Sequence, residues 1–233
     1  MPIISIDKLS SYYDNRQVFS ELSFDVEDGD YICITGENGS GKTTLMQCIL
    51  GFDIKYKGSI IFNGFSRRDI GWLPQKSDTK SDFPASVSEV IFSGFAGKSV
   101  LGIAYSSAQK EKAYKNMALL EVEDLKDKSF NELSGGQQQK VLLCRALCAA
   151  QKVILLDEPV NSLDAASQNE FYSLLKKINN SGITVIMISH DIERAVKEAH
   201  KILNISNNGF TFKKAECYLE DEYKTEGNYG NTI

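Results

Sequence analysis

The stretch "YICITGENGSGKTTLMQCILG", residues 31–51, decides the fold. A short β-rich apolar run comes first, then a glycine-rich loop, then an apolar-periodic run closed by Gly51. Strand, loop and helix in that order give Gly36 to Thr43, "GENGSGKT", the context that a phosphate-binding loop requires. Gly36, Gly39 and Gly41 let backbone N–H groups approach phosphate oxygens closely. The helix N-terminus adds positive potential. Lys42 supplies a point charge for β- and γ-phosphates, and Thr43 a hydroxyl for Mg²⁺. The residues expected to bind the nucleotide here are Gly36, Glu37, Asn38, Gly39, Ser40, Gly41, Lys42, Thr43 and Thr44.

Outward from this loop, the first third carries further β-rich runs: "IISI", "LSFDV", "GSIIFNG" and "IGWLP", with a turn at Asp28-Gly29. From about 85 to 149 the spacing turns helical, in "ASVSEVIFSGF", "SSAQKEKAYKNMALLEV" and "GGQQQKVLLCRALCAA". Then "KVILLD", "AASQNEFYSLLKKIN" and "GITVIMIS" read as strand, amphipathic helix and strand. Continuous Val/Ile/Leu runs separated by helices imply a parallel sheet covered on both faces. The reading is an α/β core interrupted by a helical insertion.

Composition narrows the function classes. A chain of 233 residues with 42% hydrophobic content can bury a sizeable core. A net charge of −5 argues against nucleic acid as the main partner, which needs a basic face. Five cysteines without CxxC spacing read as free thiols, and Cys144 and Cys148, four apart, as small buried residues of one helix face. No signal peptide opens the sequence, and "ITVIMIS" at 183–189 is too short to span a bilayer. A membrane role therefore requires a membrane partner.

Behind a phosphate loop, "VILLDEP" at 153–159 becomes informative. An apolar strand puts Asp157 at its C-terminal end to orient the Mg²⁺ shell. Glu158 follows as the group that activates the attacking water. His190, after "ITVIMIS", reads as a γ-phosphate contact, and Gln75 is a neutral group at another strand end. Ser134-Gly135-Gly136-Gln137, within "SFNELSGGQQQK" at 129–140, opens a helix where the backbone is bare.

Taken in order, the phosphate loop, Gln75, "LSGGQ", "LLDEP", "NSLD" and His190 resemble the ATP-binding subunits of ATP-binding-cassette transporters, over residues 3–206. The resemblance implies an α/β fold: a P-loop NTPase (RecA-like) core with an N-terminal antiparallel β subdomain and an inserted α-helical subdomain. It implies a single ATP-binding domain over 1–233, with its core at 1–80 and 150–215, the helical subdomain at 81–149 and a polar tail at 216–233. Two such subunits would sandwich two ATP molecules head to tail. In that arrangement Leu133, Ser134, Gly135, Gly136 and Gln137 complete the partner's site, and Asp164 crosses the dimer interface. Tyr13 matches the aromatic that stacks on adenine, with Tyr12 the alternative. Gln75, Thr43 and Asp157 match the groups around Mg²⁺; Glu158, His190 and Gln75 match the catalytic set. Val160, Asn161-Ser162 and Lys140 depart from the commoner residues of the pattern.

A narrower likeness, to the zinc and manganese import branch, rests on "WLPQKSDTKSDFPASVSEVIFSG", "NEFYSLLKKIN", "SHDIERAV" and "KILNISNNGFTF". It implies integral membrane permease subunits, an extracytoplasmic metal-binding protein and a place on the cytoplasmic face of the membrane. The alternatives are an ATPase of another importer or an exporter, or a non-transport relative acting on DNA or ribosomes. Only 57 residues (76–132) separate Gln75 from "LSGGQ", without a heptad run, which argues against the DNA-repair relatives. The segment Asp78–Val90, with Phe83-Pro84 as an exposed anchor, is expected to flank the groove that receives the permease.

Overall fold

The computed structural model describes residues 1–13, 16–75, 85–96, 105–206 and 209–218. In chain order its strands are β1 (Ile4–Tyr13), β2 (Arg16–Val26), β3 (Tyr31–Gly36), β4 (Tyr56–Phe62), β5 (Ile70–Leu73), β6 (Val153–Asp157), β7 (Thr184–Ile188), β8 (Lys201–Ser206) and β9 (Gly209–Lys214). Its helices are α1 (Lys42–Leu50), α2 (Val87–Phe92), α3 (Ser107–Leu119), α4 (Gly135–Ala149), α5 (Ala165–Asn180) and α6 (Ile192–Glu198). Two compact units result: Met1–Arg67 with the chain from Thr184 onward, and Arg68–Ile183.

The first unit holds the glycine-rich loop from Gly36 to Thr43. Strand β3 pairs in parallel with β7 on one side and β8 on the other, and β9 returns antiparallel to β8. Every residue of β7, and all of β3 up to Thr35, is buried. That explains their unbroken apolar runs, since neither face meets water. A second, antiparallel sheet has the order β2-β1-β4. Its central strand is far longer than "IISI", because "DKLSSYY" also pairs on both sides. The polar residues are tolerated there because they are satisfied: Ser10 Oγ accepts from the Glu21 amide at 2.9 Å, and Ser11 Oγ donates to the Lys55 carbonyl at 3.3 Å. The rings of Phe24 on β2 and Phe212 on β9 meet at 5.1 Å, joining the two sheets.

The second unit carries parallel strands β5 and β6 and helices α2 to α5. The expected helices form, and three open on reciprocal capping boxes: Ser86 with Glu89, Ser106 with Gln109, and Ser134 with Gln137. Such caps contribute about 1 kcal/mol each. Gly71 on β5 lets the strand approach α4, since a Cβ there would lie 2.3 Å from the Ala146 carbonyl oxygen. Cys144 and Cys148 are buried as expected, and Lys112 Nζ donates to the Cys148 and Ala150 carbonyls that α4 leaves open at its end. Among the described residues no helix is long and apolar enough to cross a membrane.

Candidate functional site

In the first unit, the loop from Gly36 to Thr43 bends through left-handed backbone at Gly36, Gly39 and Gly41, with φ of 138°, 80° and 97°. Other residues at two of these positions would also collide. A Cβ on Gly36 would lie 2.0 Å from the Ile205 carbonyl oxygen of β8, and one on Gly41 would lie 2.6 Å from Val18 Cγ1 of β2. Lys42 is buried, and its ammonium curls back to donate to the Gly36 carbonyl at 3.0 Å and the Glu37 carbonyl at 2.8 Å. Ser40 Oγ is buried with no hydrogen-bond partner among the described residues.

Helix α1 differs from its neighbours at its start. Helices α2, α3, α4 and α5 are capped by the side chains of Ser86, Ser106, Ser134 and Asp164. Helix α1 starts from Gly41 with no side-chain cap and no acid in its first turn. Its first-turn amides thus keep their positive potential for an anion. Uncapped amides, a buried unpartnered hydroxyl and an internal ammonium together fit a polyphosphate. For Mg²⁺, Thr43 puts a hydroxyl on the exposed second position of α1, while Asp157 ends β6 in the second unit with its side chain buried. A cation that binds largely through waters and phosphates takes few donors from protein, and each of these is of the oxygen type it uses.

His190 emerges from the C-terminal end of β7, beside the strand that feeds the phosphate loop. It is exposed, and its neighbours are tightly turned: Ser189 Oγ accepts from the Asp191 amide at 3.1 Å, and Asp191 Oδ1 from the Arg194 amide at 2.9 Å. Carboxyl ends of adjacent parallel strands are where open α/β sheets bind ligands. At the end of β1, Tyr13 leaves 76% of its surface exposed, whereas Tyr12 lies under Lys57 Nζ at 5.5 Å. Of the two aromatics, Tyr13 offers the open ring.

In the second unit, Gln75 and Glu158 meet: Gln75 Nε2 donates to Glu158 Oε2 at 2.7 Å. A third residue joins them, which sequence reasoning noted only as a departure. Asn161 Nδ2 donates to the same Oε2. Glu158 itself sits at φ 48°, a left-handed conformation that costs an ordinary residue about 1–2 kcal/mol.

The "LSGGQ" segment is a helix start. Ser134 Oγ accepts from the Gln137 amide at 3.3 Å, and Gln137 Oε1 accepts from the Ser134 amide at 3.0 Å. The Gln137 side chain is therefore engaged within its own helix. Leu133 is buried and anchors the segment, while a Cβ on Gly135 would meet open space. A Cβ on Gly136 would lie 3.1 Å from Ser167 Oγ, so the segment is packed against the start of α5. Ser167 in turn is held by Asp164, through its amide at 2.9 Å and its hydroxyl at 3.0 Å. These bonds hold the Asp164 carboxyl below the usual carboxylate range. Residues 76–84, including Phe83 and Pro84, and the tail from 219 lie outside the described residues.

A glycine-built phosphate loop at the end of a buried parallel strand, with an acidic strand end and a bare helix start elsewhere, defines a nucleotide-hydrolysing α/β protein. The family model for ABC transporters matches residues 19–161, and the chain belongs to this ATP-binding-cassette family, as an ATP-binding subunit whose ATPase activity is coupled to transport. It is 34% identical over 212 residues to the zinc uptake system ATP-binding protein of Listeria innocua, covering 88% of this chain and 82% of the relative. It is 38% identical over 211 residues to the ergothioneine transport ATP-binding protein of Helicobacter pylori, covering 87% and 97%. A solved inward-facing transporter described as of metal-chelate type superposes with a TM-score of 0.83 at 30% identity, over 93% of this chain and 84% of that one.

Proposed function

We propose that the chain binds ATP with Mg²⁺ and hydrolyses it to energise import of a divalent metal ion, zinc or manganese, through membrane permease subunits. The observation that carries the nucleotide reading is the uncapped start of α1, with Lys42 held inside the loop before it. Tyr13 stacks on adenine, and the amides and side chains from Gly36 to Thr44 hold the phosphates. Thr43, Asp157 and Gln75 would hold Mg²⁺, which when bound neutralises charge on the phosphate oxygens. Glu158 takes a proton from the attacking water as that oxygen bonds to the γ-phosphorus and the bond to ADP breaks. His190 steadies the γ-phosphate. The glycine-opened start of α4 at Ser134, Gly135 and Gly136 meets the nucleotide of a second copy in a head-to-tail homodimer, with Asp164 at that interface. The assembly works at the cytoplasmic face of the membrane with an extracytoplasmic metal-binding protein.

Metal cargo is supported by the name of the Listeria relative and by the metal-chelate transporter of like fold. The Helicobacter relative favours a second reading, an organic cargo such as ergothioneine. Uptake of radiolabelled zinc, manganese and ergothioneine by the assembled transporter separates the two. For the catalytic reading, Glu158→Gln keeps ATP affinity and loses about 10²–10⁴-fold in turnover, the range of general-base catalysis. Hydrolysis at the parent rate in that variant places the base elsewhere.

A further inference from the structure

The structure assigns Asn161 as a positioning residue that orients the Glu158 carboxylate for hydrolysis; this rests on Glu158 being the base. Two carboxamide donors, from Gln75 and Asn161, converge on Glu158 Oε2. They differ in origin. Gln75 follows β5 and is tied to Glu158 across 83 positions of sequence, whereas Asn161 stands three residues beyond Glu158 in the same turn. Any shift of the Gln75 segment removes one donor and leaves the other, because Asn161 travels with the loop that carries Glu158.

That loop is itself braced. The Leu163 amide donates to the Val160 carbonyl at 3.0 Å. Gln168 on α5 donates from Nε2 to the carbonyls of Val160 at 3.3 Å and Leu163 at 3.0 Å. Pro159 and Val160 are buried, and Asp164 caps α5 directly afterwards. Asn161 is exposed between these fixed points, so its amide is aimed by backbone and not by packing of its own side chain. Glu158 needs such a guide. Its left-handed φ of 48° turns it out of the strand direction, and a carboxylate on a strained, half-buried position has several rotamers to choose from. A charge-assisted bond from a braced neighbour selects one of them.

The test uses the full chain and steady-state ATP hydrolysis with Asn161→Ala, Asn161→Asp, Glu158→Gln and the Asn161→Ala/Glu158→Gln pair. Asn161→Asp keeps the shape, removes the donor and sets a like charge beside the Glu158 carboxylate, while Asn161→Ala removes the donor alone. The expected result is a kcat about tenfold lower in both Asn161 variants, with KM for ATP and melting temperature within about twofold and two degrees of the parent. In the Glu158→Gln background, single-turnover hydrolysis should fall no further on adding Asn161→Ala. An equal further loss there shows that Asn161 acts on something other than the carboxylate and overturns the assignment. Parent-like kcat in both Asn161 variants, with Glu158→Gln inactive, also overturns it while leaving the base in place. Parent-like turnover in Glu158→Gln overturns the assignment together with the reading beneath it.

Discussion

Replacing Lys42 by alanine probes the phosphate loop from two sides, because the ammonium has a partner set before any nucleotide arrives. It donates to the carbonyls of Gly36 and Glu37, at 3.0 and 2.8 Å. Bonds from a charged donor stabilise by roughly 1.5–3 kcal/mol each, and water reaching the vacated space returns part of that. A net loss of about 2 kcal/mol lowers the melting temperature of a chain this size by about 4–8 °C. In the proposed nucleotide complex the ammonium would exchange these carbonyls for phosphate oxygens. Two charge-assisted bonds gained, less the carbonyl bonds given up, leave about 1–4 kcal/mol, so the variant should bind ATP roughly 5- to 1,000-fold more weakly. Thermal unfolding with and without Mg²⁺-ATP reads both effects, and titration calorimetry reads the affinity directly. The expected outcome is a lower melting temperature and a smaller nucleotide-induced rise at the same Mg²⁺-ATP concentration. An ATP affinity within about threefold of the parent refutes the phosphate-loop reasoning, whatever the melting temperature does.

Three further outcomes accompany the Glu158→Gln result. Tyr13→Ala should weaken ATP binding by about 5- to 150-fold, as expected for a lost base stack, and leave inorganic triphosphate affinity unchanged; Tyr12→Ala should affect ATP far less. A thiol reagent at pH 8 should modify Cys217 alone in the folded chain and all five cysteines in denaturant, since Cys33, Cys48, Cys144 and Cys148 are buried and Cys217 is exposed. Burial, reinforced by the negative charge of Asp191, pushes the Cys33 thiol up from 9.0 to about 12. The unfolded chain therefore gives up this proton first. The contribution is fully present below pH 9 and is lost as pH rises toward 12, and Cys33→Ser should flatten the alkaline limb of the stability curve. An unchanged limb removes Cys33 as its source.

The sequence by itself made the glycine-rich loop legible, because its glycine spacing and the Lys42 bonds to Gly36 and Glu37 lie within eight residues; only the close approach of Ile205 to Gly36 and of Val18 to Gly41 is tertiary. It also determined the buried strands and the capped helices: an unbroken apolar run and a Ser-x-x-Gln or Ser-x-x-Glu pattern are local signals. Tertiary structure decided the rest. "DKLSSYY" reads as polar, yet it continues β1, because pairing on both sides satisfies Ser10 and Ser11 through residues far along the chain. Asn208-Gly209 is a local hairpin signal between β8 and β9, but that β8 pairs in parallel beside β3 is a tertiary outcome. Asn161 was visible only as a departure from a pattern, since its bond depends on the φ that turns Glu158 back toward it. Gly136 likewise gains its packing role from Ser167, on a helix that the order of residues does not place beside it. Apart from the Asn161 bond, which spans three residues and rests on an unusual φ, these depend on where two distant segments meet, and local propensity carries no information about that meeting.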